Sequence, residues 1–276
     1  MIVRALSALA LAPLLIGLIL VGSRTALFVL LVAASVLLLW EWLRLREPFL
    51  PIPHVPLLLA QILMLYTGYR GYPGWIGIEL SLILIGLFAW SLVEYQPGEM
   101  VSPKVGFRFM GVVYCGVPMM FIDGLRAMPM GGKLICVLLF VVWATDTGAY
   151  LVGRTWGQAK IVPNISPNKT WAGFWGGTGA GVVIGTAALK GFGVPFGWIE
   201  SLGVSLLLAL SSHAGDLVES VLKRESGVKD AGRLIPGHGG LLDRLDSLLF
   251  VAPIFYAYLR VRTSGVPLGA WFLGGL

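Results

Sequence analysis

Charged residues are scarce in this chain of 276 residues, since Asp, Glu, Lys and Arg together make up 12% of it. An ordinary soluble domain carries roughly 25% charged residues, and a domain of this size still exposes a large area to water. Hydrophobic residues reach 57%, and the mean hydropathy is +0.85. The composition therefore excludes a disordered chain, a coiled coil and an ordinary soluble domain, and it indicates a protein whose solvent is lipid.

Cysteine and histidine are also rare, with two and three residues. Cys115 and Cys136 lie within or beside apolar runs without metal-ligand spacing, so we interpret them as small buried hydrophobic residues and exclude a disulfide scaffold. The 20 Lys and Arg residues form no basic block, which argues against nucleic acid as a partner. In a membrane protein, the net charge of +6 is typical of loops that face anionic lipid.

Long apolar runs are what the chain has instead. A bilayer-spanning helix needs about 20 mostly apolar residues, and the sequence predicts an all-α, polytopic integral membrane protein with about nine transmembrane helices. The first run is longer than the apolar part of a signal peptide and no A-x-A cleavage site follows it, so we expect it to be retained. The predicted spans cover about residues 5–21, 25–43, 55–69, 75–92, 106–121, 133–152, 171–191, 198–222 and 241–261.

The basic residues predict how these spans are oriented. With nine spans, 13 of the Lys and Arg residues fall on the side of the N-terminus and 7 on the other side. Because Lys and Arg collect in cytoplasmic loops, we expect a cytoplasmic N-terminus and cytoplasmic loops after the sixth and eighth spans. We further expect residues 1–130 to form a transmembrane scaffold and residues 131–276 a transmembrane catalytic region, since polar residues concentrate between Asp146 and Asp246.

Six of the 14 acidic residues lie between Asp216 and Asp246. An ionisable residue within a membrane helix is a functional-site hypothesis by default. Helical periodicity places Ser212, Asp216, Glu219, Ser220 and Lys223 on one stripe of the eighth span, and Asp243 and Asp246 on one face of the ninth.

Two antiparallel helices joined by a loop can bring such carboxylates together at the membrane surface. An oxygen-rich ligand set suits Mg²⁺, so we predict a metal site formed by Asp216, Glu219, Asp243 and Asp246. Magnesium in turn usually accompanies a phosphate-bearing substrate. The alternative is that these acids form loop salt bridges with Lys223, Arg224, Lys229, Arg233 and Arg244.

The loop between the two spans is rich in glycine. Successive backbone N–H groups in such a loop can cradle phosphate, although the pattern is neither a P-loop nor a dinucleotide-binding fingerprint, and ordinary turn glycines remain the alternative. His238 in this loop is a phosphate donor, a general acid or base, or a turn residue. The glycines are Gly232, Gly237, Gly239 and Gly240.

A second group of polar residues lies at the end of the sixth span and in the loop that follows it. Asp146 is another intramembrane acid on the same predicted side, and Lys169 in the next loop is a candidate point charge for phosphate. Ser166 and Thr170 can donate hydrogen bonds, and Thr170 can also cap the seventh helix. Small residues of that helix, including Gly173 and Gly177, predict close helix packing.

Residues 220–246 resemble the signature of the phosphatidate cytidylyltransferases, also called CDP-diacylglycerol synthases. The elements Ser, Lys-Arg, Lys-Asp, Pro-x-His-Gly-Gly and Asp-Arg-x-Asp all stand at the expected spacing. Residues 215–220, 146–150 and 166–170 are similar to further motifs of this family. The resemblance covers about residues 140–260.

The resemblance implies an enzyme of a bacterial-type inner or plasma membrane whose active site faces the cytoplasm. It implies that CTP and phosphatidic acid condense to CDP-diacylglycerol and pyrophosphate, that Mg²⁺ serves as cofactor with or without a second cation, and that the protein is a homodimer. We expect catalytic roles for Asp216, Asp243, Asp246, Lys223, Arg224 and His238, and substrate binding by Ser166, Lys169, Thr170, Ser220, Lys229, Arg233, Gly239, Gly240, Arg244 and Asp146.

Three other readings compete with this one. A CTP-dependent polyprenol kinase would share the nucleotide, whereas a CDP-alcohol phosphotransferase needs an Asp-Gly-x-x-Ala-Arg element that residues 230–233 do not match. An ion-coupled transporter could use Asp146, Asp216 and Glu219 as an ion path, but transporters often have matching halves. This chain has an apolar first half and a charged second half.

Overall fold

The computed structural model describes residues 2–47, 54–232 and 239–264, with side chains from residue 12 onward except at residues 73 and 264. This part of the chain is all-helical, as predicted, and a 3₁₀ turn at Pro73–Trp75 precedes the fourth helix. The α-helices are α1 (Ile2–Val21), α2 (Arg24–Arg44), α3 (His54–Tyr69), α4 (Ile76–Glu94), α5 (Val101–Ala127), α6 (Gly131–Trp156), α7 (Trp171–Gly191), α8 (Trp198–Glu225) and α9 (Leu242–Ser264).

Six of these described helices are long and apolar enough to cross a membrane, namely α2, α4, α5, α6, α7 and α8. The predicted number of about nine spans is therefore not confirmed. Helix α3 has only 16 residues, and side chains of α1 are described only for its last ten residues, Ala12–Val21. Helix α9 carries charged residues near both ends, from Asp243 at its start to Arg262 at its finish.

Helices α6, α7 and α8 pack closely because one face of α7 is lined by glycine. A Cβ on Gly173 would lie 2.8 Å from the carbonyl oxygen of Ala149 on α6, and one on Gly177 would lie 2.6 Å from that of Thr145. By contrast, Gly179 faces open space. The close packing predicted from the glycine content is thus present, and it fixes α6 against the helix that follows the Lys169 loop.

A buried network of ion pairs connects helices of the first half of the chain with one another at one end of the bundle. The Arg108 guanidinium on α5 donates to Glu47 and to Glu94 at 3.0 Å each, and its side chain is only 3% exposed. Glu47 also contacts His54 at 2.5 Å, and Glu94 contacts Lys104 at 2.9 Å. These contacts hold the adjoining ends of α2, α3, α4 and α5 together.

Helix α8 lies against the start of α9 at close range. A Cβ on Gly215 would stand 2.8 Å from the carbonyl oxygen of Asp246 and 2.9 Å from the Cα of Ser247. The Ser247 hydroxyl donates to the carbonyl of Ser212 at 3.1 Å. This approach sets the register of the two helices and brings their acidic residues to one level.

Candidate active site

Three carboxylates from α8 and α9 converge at the end of the bundle that also holds the Arg108 network. One oxygen from each of Asp216, Glu219 and Asp246 lies within 4.8 Å of the others. Glu219 and Asp246 are buried, whereas the Asp216 side chain is 39% exposed. Like charges this close repel strongly where water is excluded, so the arrangement calls for positive charge between the helices.

The cluster fits a hard divalent cation. Carboxylate oxygens are the ligands that Mg²⁺ takes from proteins, and the buried Glu219 Oε1 has no hydrogen-bond partner within the described part of the chain. An unpartnered buried oxygen is uncommon in a folded protein, so the chemistry of these residues is compatible with a bound cation. The cluster is open on the side of Asp216, which lines a cavity.

Two lysines partly neutralise these acids. Lys169 Nζ lies 2.9 Å from Asp216 Oδ2 and 3.4 Å from the Ser220 hydroxyl. Lys223 Nζ lies 2.6 Å from Glu219 Oε2 and 2.7 Å from Asp243 Oδ1. The salt bridges considered as an alternative are therefore present for Lys223, and they coexist with the convergence of the acids.

Asp243 lies beside the three-acid cluster and holds the flanks of the glycine-rich loop. Its Oδ2 accepts the N–H groups of Ala231 at 3.0 Å and of Gly240 at 2.8 Å, while Oδ1 is bound by Lys223. Gly239 has φ +82°, a left-handed conformation that glycine adopts without strain. The role of Asp243 as a metal ligand stays a prediction, and its observed contacts are with Lys223 and the loop flanks.

A cavity of about 270 Å³ adjoins Asp216 on the side of the α6–α7 loop. Thr170 caps α7 by accepting the N–H of Gly173 at 3.1 Å. His213 contacts the Phe174 carbonyl at 3.1 Å and packs on its ring, as expected of a helix-packing histidine. The polar lining consists of Ser166, Asn168, Lys169, Thr170, His213 and Asp216.

The remaining predicted residues lie around this centre. Asp146 on α6 interacts electrostatically with Asp216, Lys169 and Arg244. Arg224 donates to the carbonyl of Ile165 at 3.1 Å and so ties the end of α8 to the α6–α7 loop. Lys229 is exposed, Ser220 donates to the Asp216 carbonyl, and Gly240 is buried, while Arg233, Gly237 and His238 lie outside the described residues.

Glu41 belongs to the predicted scaffold and was not among the predicted site residues. This residue is 2% exposed, and its Oε2 accepts the N–H of Leu242 at the start of α9, at 2.8 Å. The signal that could have found it is a carboxylate at the end of an apolar run. Tyr114 on α5 was missed as well, and its buried hydroxyl is unpartnered among the described residues.

The chain as a whole matches a known protein family. The sequence matches the model of the Cytidylyltransferase family over residues 2–262. The chain belongs to this family. The resemblance inferred from residues 140–260 is therefore confirmed, and it extends through the N-terminal half.

Several similar proteins carry the name phosphatidate cytidylyltransferase. One from Bacillus subtilis (strain 168) is 35% identical over 238 residues, which cover 84% of this chain and 88% of the relative. One from Staphylococcus aureus (strain COL) is 43% identical over 177 residues, or 63% of this chain and 66% of the relative. One from Brucella suis biovar 1 is 37% identical over 182 residues.

The matched segment thus spans slightly less than two thirds of the Staphylococcus aureus relative and most of the Bacillus subtilis one. Six apolar helices in a cytidylyltransferase of this kind indicate a membrane protein. All three clustered acids and both paired lysines lie inside the family match.

Proposed function

We propose that this protein is a phosphatidate cytidylyltransferase that condenses CTP with phosphatidic acid. The observation that carries the proposal is the convergence of Asp216, Glu219 and Asp246, flanked by Lys169 and Lys223, in a member of the cytidylyltransferase family. The products are CDP-diacylglycerol and pyrophosphate. The names of the similar proteins support the same reaction.

The reaction needs the approach of two anions. A phosphate oxygen of phosphatidate attacks the α-phosphorus of CTP, and the bond from that phosphorus to the bridging oxygen of the β-phosphate breaks to release pyrophosphate. The attacking oxygen is already ionised, so no protein base is required. Neutralising charge and aligning the two phosphates are therefore the main tasks of the site.

Asp216, Glu219 and Asp246 hold Mg²⁺ in this proposal, with Asp243 as a further ligand and with or without a second cation. When bound, the metal supplies Lewis-acid stabilisation of the charge that builds on the phosphate oxygens. Lys169 binds a substrate phosphate from the other side of the cavity. Lys223 holds Glu219 and Asp243 in position and adds positive charge beside the α-phosphate.

The remaining predicted residues act at the edges of the site. Lys169, Ser166 and Thr170 bind the phosphate of the lipid in this proposal, which is supported by their position in the lining of the cavity of about 270 Å³. Arg224 and Ser220 fix the end of α8, and Lys229 and Arg244 add positive charge for the triphosphate. The roles expected of Asp146, Arg233 and His238 stay predictions. The backbone of Gly239 and Gly240 approaches the nucleotide closely.

The proposal also covers the orientation of the protein in the membrane and its oligomeric state. The end of the bundle that carries the site holds most of the Lys and Arg residues, and this supports a site that faces the cytoplasm. Family resemblance supports a homodimer in a bacterial-type inner or plasma membrane.

The test uses the purified full chain in detergent with CTP, phosphatidate and Mg²⁺. We expect equal amounts of pyrophosphate and CDP-diacylglycerol, both lost on adding EDTA and restored by excess Mg²⁺. Phosphorylation of a polyprenol with CTP, without reaction on phosphatidate, would instead identify a lipid kinase. Ion uptake into proteoliposomes without any nucleotide turnover would identify a transporter.

A further inference from the structure

The carboxylate of Glu41 joins the N-terminal half of the chain to the catalytic end of α9. Its Oε2 accepts the N–H of Leu242, which lies 201 residues further along the chain. The first N–H groups of a helix have no partner within the helix, and a negative charge at this end is favourable. Glu41 therefore fixes where α9 begins.

The two flanks of the glycine-rich loop close around the same carboxylate. A Cβ on Gly232 would collide with Glu41 Oε1, and a Cβ on Gly240 would lie 2.6 Å from Oε2. Only glycine leaves space for the carboxylate between these two backbone segments. The positions of both flanks are thereby set by a residue of α2.

Helix α2 is fixed against α5 directly beside Glu41. The next residue, Trp42, is fully buried and donates from its indole nitrogen to the Phe107 carbonyl on α5 at 2.9 Å. Its ring occupies the space that a side chain at Gly111 would need. Helix α2 therefore cannot slide along α5 without breaking these contacts.

A short series of contacts connects Glu41 with the clustered acids. Asp243 binds the same loop flanks through the N–H groups of Ala231 and Gly240. Lys223 then links Asp243 to Glu219. Asp246 follows Asp243 by three residues on α9, so a displacement of the helix start moves both acids.

We propose that Glu41 is a positioning residue of the cytidylyltransferase reaction, an inference that rests on the proposed function. It holds the start of α9 and both flanks of the glycine-rich loop, and so sets Asp243 and Asp246 against α8. It does not touch the substrates. Its Oε1 is buried without a partner among the described residues, which is costly for a side chain that serves stability alone.

The test compares Glu41→Ala and Glu41→Gln with the wild type and with Glu79→Gln, a control acid that bonds Thr67 at the opposite end of the bundle. We expect Glu41→Ala to lower kcat by about 10- to 100-fold with KM values for CTP and phosphatidate within about twofold. The amide oxygen of Glu41→Gln still accepts the Leu242 N–H, so this variant regains most of the kcat. Glu79→Gln keeps full activity.

Hydrogen exchange of the backbone provides a readout that does not need turnover. We expect faster exchange at residues 231–232 and 239–246 in Glu41→Ala, with unchanged exchange in α6 and α7. If the wild type is active, a Glu41→Ala variant with full kcat per folded molecule would overturn the inference. Unchanged exchange in those segments would overturn it as well. An altered preference between CTP and UTP in Glu41→Gln would also overturn it, because a carboxylate that contacts cytosine at its amino group acts directly on the substrate.

A wild-type protein that makes no CDP-diacylglycerol would count against the proposed function, not against this inference. In that case the exchange measurement alone decides whether Glu41 holds the loop flanks and the start of α9.

Discussion

Lys169 and Asp216 form an ion pair across the cavity, with 2.9 Å between Nζ and Oδ2. The lysine comes from the loop before α7 and the aspartate from the membrane helix α8, so the pair connects two elements that are 47 residues apart in the chain. Both side chains are partly open to the cavity. A substrate phosphate can therefore meet the ammonium group without displacing a buried contact.

Replacing Lys169 tests this arrangement. We expect Lys169→Met to lower kcat/KM for phosphatidate by about 10- to 100-fold, the range expected when a hydrogen bond to a charged group worth about 1.5–3 kcal/mol is lost. Steady-state kinetics with each substrate varied in turn measure it. Lys160→Met is the matched control, since Lys160 is an exposed lysine of the same loop; equal effects of the two variants would contradict the assignment.

Replacing Asp246 tests the metal site. Asp246→Asn keeps the shape of the side chain and removes the charge, so we expect kcat to fall by at least about 100-fold and the Mg²⁺ concentration for half-activation to rise. Magnesium titrations of activity measure both effects. Glu99→Gln serves as a control, because Glu99 is an exposed acid outside the cluster; an unchanged Mg²⁺ requirement in Asp246→Asn would refute its role as a ligand.

Because α8 approaches α9 closely, a side chain added at one glycine of α8 should destabilise the protein, whereas one added at another should not. We expect Gly215→Ala to destabilise the protein by about 1–3 kcal/mol, because its Cβ has to push the start of α9 away. Gly203→Ala on the same helix meets no atom within 4 Å and should be neutral or stabilise by up to about 1 kcal/mol. Unfolding by detergent titration compares the two, and equal stabilities would contradict the packing.

The Arg108 network predicts a stability effect in the first half of the chain. Arg108→Met leaves Glu47 and Glu94 without their buried partner, and we expect a loss of about 3–5 kcal/mol. Lys104→Met removes a more exposed partner of the same Glu94 and should cost less than about 1 kcal/mol. The prediction fails if the two unfolding free energies change equally.

Much of the site follows from the local pattern of the sequence. Helical spacing alone puts Asp216, Glu219 and Lys223 on one stripe, and the structure brings the first two to Asp246. The α8–α9 register could not be predicted, because it depends on how closely two helices approach at Gly215. The contact between Asp243 and the loop depends on backbone conformation at Gly239 and Gly240, which composition does not reveal.

The contribution of the N-terminal half was not predictable in the same way. Glu41 and Leu242 are joined by one hydrogen bond across 201 residues, and a single sequence carries no signal for such a pair. The number of spans was also beyond prediction from apolar runs alone, since α3 is only 16 residues long and α9 carries charged residues near both ends. What hydropathy predicts well is the all-helical architecture.

The division of the acids between two helices has a mechanical consequence. Asp216 and Glu219 belong to α8 and Asp246 to α9, so an ion held by all three would act as a cross-link between neighbouring helices. Binding energy would then be shared between catalysis and the cohesion of the bundle, and the apparent melting temperature would rise with metal concentration. Removing the ion would then weaken the contact between α8 and α9 as well as the activity.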